Sequence, residues 1–531
     1  MRPMKMTNAI LKTRLLLAAM VAVTSLTATA HAAAPGITGP TFNLTAQTAL
    51  LNQPDGNAVY SWGYGCNGAP AGFAPAAITN ATCPTMQVPG PTLIVTEGQT
   101  VTVNLTNNLP AAAGNTSILF PGFTVTASGG VTGLMTQEAA PGGTVTYTFT
   151  ASSPGTRSYY SGTQGDLQVE MGLYGAVIVL PAHVPGVCIG ASATSIPAKN
   201  RLAQVHWGES DFRLSQAAYD HPETCYDREY LFQFAEMDPR IHNAALAQVT
   251  ATTGCTAGAP GCSLEVPTEP YHPAYFLING RSMPDLMDAN YGAEYPHQPY
   301  NGNPHMHPGE LTLIRVIGQG RWQHPFHEHA NHVRILARDG NLILSATDPT
   351  KLAGRLEFTT DTTPGQAFDG IFYFTGRGLN WDMYGHNPLS TDASAKLPCT
   401  PDANGYNTSA PTAINYFEWC QDHNKPLEVA PFGDVASGGP ATLPDPDILT
   451  NGAWYSGSPY LGPDATVRSA GTNTGNFLPA NTQANPANER GWAFMWHSHN
   501  EREITTNNVF PGGMMMMMLV DSREFVIDES N

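Results

Sequence analysis

Two histidine clusters hold the residues whose types and spacing could do chemistry in this chain. His324-Pro325-Phe326-His327-Glu328-His329 and Trp496-His497-Ser498-His499 each contain a His-x-His step. In an extended strand successive side chains alternate faces, so His327 and His329 project one way, as do His497 and His499. Two such strands laid side by side would gather four imidazoles. A β-protein can build a metal site in this way without a helix, and imidazole suits copper, zinc, iron or nickel. The plainer alternative keeps the four histidines as hydrogen-bonded polar groups of the core. Burying four imidazoles without a use is costly, which favours the metal.

Further donors lie nearby in sequence. His305-Met306-His307 is a third His-x-His step, either a substitute ligand pair at the cluster edge or a solvated turn between Pro304 and Pro308. Met514 to Met518 are consecutive methionines after Gly512-Gly513. Thioethers favour Cu(I), whereas adaptable core filling is the commoner use of methionine.

The string His324 to His329 resembles the HPxHxH signature of the multicopper oxidases, cupredoxin proteins that oxidise substrates at one copper and reduce dioxygen at three others. The stretch around Trp496 is similar to that family's closing HCH signature. Thr116-Ser117-Ile118 before Gly122, the run Gln168 to Val179 with Gly172-Leu173-Tyr174-Gly175, and Phe276-Leu277-Ile278-Asn279-Gly280-Arg281 add to the resemblance. It implies an all-β fold of tandem cupredoxin-like Greek-key β-sandwiches and a copper cofactor. It puts His329, His497 and His499 at positions that bind the paired coppers and His327 at a position for the third.

The chain departs from the family pattern at the ligands. Leu119-Phe120-Pro121-Gly122 stands where the family has HWHG, and Ser161-Gly162-Thr163 where it has a second HxH. Ser498 takes the place of the cysteine that ligates the blue copper, and Glu503 that of the following histidine. A serine oxygen cannot replace a soft thiolate. His324, Ser498 and Glu503 then form either a hard nitrogen/oxygen metal site or a hydrogen-bonded pair, and Met514 lies near the axial-ligand position. One or two coppers fit these residues better than four, with zinc or manganese open, and an ordinary four-copper laccase is disfavoured.

Composition and the chain's beginning set the context. Residues 1–32 read as a signal peptide: Arg2, Lys5, Lys12 and Arg14 precede an apolar run from Leu15 to Val23, and Ala30-His31-Ala32 offers a cleavage step. Its removal takes the formal charge from -18 to -22, since four basic and no acidic residues leave. That balance disfavours nucleic acid and anionic membrane surfaces as partners, and no apolar run is long enough for an inserted helix. A periplasmic or secreted protein is expected. Eight cysteines, all outside the histidine motifs, read as disulfides there, and proximity pairs Cys66–Cys83, Cys188–Cys225, Cys255–Cys262 and Cys399–Cys420 among the 105 combinations.

The elements that must position these residues are strands. Strand-like runs at Thr92–Val95, Thr100–Leu105, Thr144–Phe149 and Ala176–Leu180 fit a first cupredoxin-like domain over 33–182. A second domain over 200–531 draws on Leu202–His206, Ala274–Ile278, Leu311–Ile317, His332–Ala337, Leu356–Thr360, Gly370–Phe374, Trp492–His497 and Met514–Val520. Its excess length lies in irregular insertions near 210–272 and 378–490, rich in Pro, Gly, Asn and Asp.

Three functions follow from this reading. The chain is an exported oxidoreductase binding copper through the histidine cluster and acting on a small reductant or metal ion. Alternatively it is a non-catalytic metal-binding or sequestering protein, or a structural or interaction protein that reuses the cupredoxin fold. Two-domain members of the family place coppers between subunits, which leaves a homo-oligomer open.

Overall fold

Period-two alternation builds the first sandwich. In Thr100–Asn107 the residues Val101, Val103 and Leu105 point inward, and in Thr144–Thr150 the residues Val145, Tyr147 and Phe149 do so, with threonines facing out. These two strands pair in full antiparallel register in one five-stranded sheet, which also carries Thr41–Asn52, Ala58–Cys66 and Thr126–Gly129. The facing sheet orders Gly155–Tyr160, Tyr174–Leu180, Leu93–Thr96, Gly36–Thr38 and Phe73–Ala74. Between them lies one apolar core around Trp62, Phe120, Tyr147 and Tyr159.

The computed structural model describes residues 33–189, 193–377, 398–413, 415–423, the short strands 427–428, 439–440 and 457–460, and residues 491–521, 523 and 525–530. The signal peptide reading falls outside these residues, as does most of the second insertion. Among the described residues no helix is long and apolar enough to cross a membrane.

The second sandwich is made of two larger sheets. One runs through Tyr275–Ile278, Arg228–Met237, Leu311–Gly318, Ala367–Tyr373, Val333–Arg338 and Asn341–Leu342. The other orders His305–Met306, Met515–Asp521, Gly491–Ser498, His324–Glu328 and Thr359–Thr362. Phe232, Phe234, Phe326, Phe372, Trp496 and the even-numbered methionines Met514, Met516 and Met518 fill the space between. The chain is thus all-β in architecture, two β-sandwiches in tandem. All four expected disulfides are formed.

Two local expectations are corrected. Leu202–His206 is not a strand but the end of a helix, Ile196–His206. Ser195 caps it, its Oγ accepting from the Ala198 N–H at 3.2 Å, and Pro197 presets the first turn. The stretch 210–272 is not irregular throughout, because Arg228–Met237 is a ten-residue strand with every residue buried. It pairs in parallel with Leu311–Gly318 and lies buried on both faces, which erases the alternation that would have marked it as a strand. Helix Pro239–Ala251 follows, with Asp238 as its cap.

Candidate metal centre

Register puts the histidines together. The His324–Glu328 and Gly491–Ser498 strands are antiparallel neighbours, with His327 directly opposite His497 and Phe326 opposite Ser498. Directly opposed residues share a face, so the pleat sorts the two strands into two sets. His327, His329, His497 and His499 lie on the outer face, away from the sandwich core. His324, Phe326, Glu328, Trp496 and Ser498 lie on the inner face, and all five are at most 1 % exposed. Trp496 also donates its indole N–H to the His329 carbonyl at 3.1 Å, tying the turn after one strand to the other.

On the outer face the four imidazoles form one cluster. Ring centroids are 4.9 Å apart for His327 and His329, 5.5 Å for His327 and His497, 4.7 Å for His327 and His499, 5.1 Å for His329 and His497, and 5.6 Å for His497 and His499. Nε2 of His329 and Nε2 of His497 approach to 3.2 Å. Nδ1 of His327 meets Thr359 Oγ1 at 2.6 Å, and Nδ1 of His497 meets the Ser498 carbonyl at 2.7 Å, which fixes both rings. His499 is half-exposed and opens the cluster to solvent.

The donor chemistry fits a transition ion. Burial first, and then the neighbouring His497 and His499, push His327 down to about 4, while burial lowers His497 as well. A ligand imidazole must be neutral, and these two are held in that form. Two nitrogens about 2.0–2.1 Å from a common ion would stand about 3.2 Å apart at an angle near 100°, the spacing seen between His329 and His497. The Met515 side chain joins this face, because Met515 is the direct cross-strand partner of His497. Met514, the methionine expected from sequence, points into the core with Met516 and Met518.

His324 and Glu503 are not part of that cluster. His324 sits on the opposite face of its strand, with Nε2 2.9 Å from Glu236 Oε2 and Nδ1 2.8 Å from Glu503 Oε2. Burial alone would lower its pKa, but the two carboxylates overcome it and push His324 up to about 9. Ser498 donates its hydroxyl to the same Glu503 oxygen, and Asn500 donates to the other at 2.8 Å. His324 and Glu503 are thus hydrogen-bonded to one another, with Glu236 as a further partner. Glu236 was missed, since it lies 88 residues from His324 on the strand that had no visible pattern.

His305 and His307 also lie elsewhere, and they are buried rather than solvated. His305–Met306 pairs with Leu519–Val520, four residues along from Met515, which is about 13 Å of strand. His305 Nδ1 lies 2.6 Å from Asp521, while His307 joins Glu209 at 2.5 Å and the Asp521 carbonyl at 3.0 Å. Glu209, His307 and Glu310 bring ligand atoms within 4.8 Å of one another, yet Arg228 fills that space, pairing with Glu209 at 2.7 Å, Glu310 at 2.5 Å and Glu529 at 3.0 Å. A second such group, Cys399, Glu418 and His423, lacks a thiolate because Cys399 is in its disulfide.

In the first sandwich the positions that depart from the family are filled by packing and hydrogen bonds. Phe120 packs among Phe149, Tyr147 and Tyr159 in tilted and edge-on ring contacts. Ser161 donates to Gln168 at 2.7 Å and Thr163 to Glu138 at 2.9 Å.

Residues 76–183 match the multicopper oxidase family model. A multicopper oxidase of Talaromyces pinophilus is 34 % identical over 124 residues, covering 22 % of this chain and 20 % of that one. An L-ascorbate oxidase of Brassica rapa subsp. pekinensis is 38 % identical over 96 residues, covering 18 % and 16 %. The chain thus matches about a fifth of the length of these curated relatives. A solved multicopper oxidase structure, mgLAC, superposes over 92 % of this chain and 88 % of that one, with a TM-score of 0.45 and 15 % identity.

Proposed function

We propose, from the premise that this chain is a divergent member of the multicopper oxidase family, that it is an exported oxidoreductase whose copper is held by His327, His329, His497 and His499. One observation carries the reading: two paired strands gather these four rings on one face, with ring centroids of neighbouring pairs 4.7–5.6 Å apart. Copper bound there would supply one-electron redox chemistry. The chain's own residues do the rest. Thr359 and the Ser498 carbonyl orient His327 and His497, burial keeps those two rings neutral, and half-exposed His499 leaves a side through which a small reductant or metal ion can approach. The four disulfides support an oxidising, periplasmic or secreted location.

The inner-face network at His324 favours a second reading, a metal-binding or sequestering protein without turnover, since no copper ligand set for electron input survives there. Metal content decides whether the cluster binds copper, zinc or manganese. The double variant His497→Ala with His499→Ala should lose that metal, and unchanged content would refute the site. Oxygen consumption with phenolic, Cu(I) and Mn(II) reductants then separates an oxidoreductase from a sequestering protein.

A further inference from the structure

We infer that a proton, not a metal ion, occupies the position where the resemblance places the blue copper: His324 is a doubly protonated imidazolium locked between Glu236 and Glu503, and the site is closed to metal. The argument rests on counting donors and acceptors. Glu236 Oε1 accepts the Arg321 and Trp322 backbone N–H groups at 2.8 and 2.9 Å, with the Tyr271 hydroxyl, which donates to Glu170 Oε2 at 2.7 Å, standing 3.2 Å away. Its other oxygen faces only His324 Nε2 at 2.9 Å. Glu503 accepts the Asn500 amide on Oε1 and the Ser498 hydroxyl on Oε2, and that second oxygen also faces His324 Nδ1 at 2.8 Å.

Each ring nitrogen faces one carboxylate oxygen, and the other donors around Glu236 and Glu503 leave both acting as acceptors toward the ring, so both ring nitrogens are assigned a hydrogen. An imidazolium has no lone pair to offer a metal. The raised basicity of His324 agrees with this count.

Ser498 takes part in the lock. Its hydroxyl is a good donor to Glu503, where a thiol would be a weak one. The charged group crosslinks three separate elements, the Arg228–Met237 strand through Glu236, the His324–Glu328 strand, and the turn after Gly491–Ser498 through Glu503. In effect it ties the two sheets of the second sandwich where a metal ion would otherwise do so.

The inference stands on the partners of His324 alone and does not require copper at the outer-face histidines. It is tested on the metal-free full chain by nitrogen NMR of labelled histidine, with the His324 signals assigned by their loss in His324→Gln. Two protonated ring nitrogens at neutral pH are expected, and an unprotonated one would overturn the assignment. Copper titration of the same proteins gives a second reading. The number of ions bound should be the same in wild type and His324→Gln, and a loss of one ion in the variant would overturn it. Restoring sulfur by Ser498→Cys should give no intense blue absorption on copper loading, because the imidazole stays locked. A blue protein would likewise overturn the inference.

Discussion

The His324 lock makes stability depend on pH in a direction that can be worked out. His324 is raised to about 9 in the folded chain, against an ordinary value near 6.5 in the unfolded one. The folded state therefore binds the proton more tightly. Its stabilising contribution is fully present below about pH 6.5 and is lost as pH rises through 9. A difference of about 2.5 units, at about 1.4 kcal/mol each, amounts to roughly 3 kcal/mol. Urea unfolding of metal-free wild type and His324→Gln, followed at several pH values, reads this directly. With a slope of about 3 kcal/mol per molar urea, the wild-type midpoint should exceed the variant's by roughly 1 M at pH 6, and the gap should close by about one and a half pH units above 8. A gap that stays constant from pH 6 to 9.5 would refute the argument that the proton holds the site.

Other perturbations follow from the same structure. Met515→Leu should weaken Cu(I) binding by about tenfold and leave Cu(II) nearly unchanged, because a thioether beside His497 favours the softer ion; equal affinities for Cu(I) in the two proteins would remove Met515 from the site. Arg228→Met would leave Glu209, Glu310 and Glu529 buried without their shared counter-charge, and a loss of about 3–5 kcal/mol in chemical unfolding is expected. Replacing Cys66 and Cys83 by serine opens a loop spanning 17 residues and should cost about 3 kcal/mol, visible as a lower unfolding midpoint.

Much of the fold was legible because it follows local rules. The Thr100–Asn107 and Thr144–Thr150 alternations mark half-buried strands, and the disulfides join cysteines that are neighbours in sequence. The grouping of His327, His329, His497 and His499 followed from parity within each strand, provided the two strands were neighbours. What stayed hidden depends on partners far away in the chain. Arg228–Met237 carries no alternation because both its faces are buried, so Glu236 and its hold on His324 could not be foreseen. Strand alternation sends Met515 and Met517 to the face opposite Met514, Met516 and Met518, and only the pairing of Met515 with His497 decides which set meets the histidines. His307 lacked any sequence sign of Glu209, 98 residues away, or of the arginine knot around them.

The sorting of the two histidine strands into an outer and an inner face has an evolutionary consequence. An inserted or deleted residue between Phe326 and His329 would exchange the faces, driving imidazoles into the aromatic core and Glu328 out of it. Point substitutions on the outer face disturb no such packing. Substitutions at the histidine positions can therefore accumulate one at a time while the aromatic core between the two sheets stays intact.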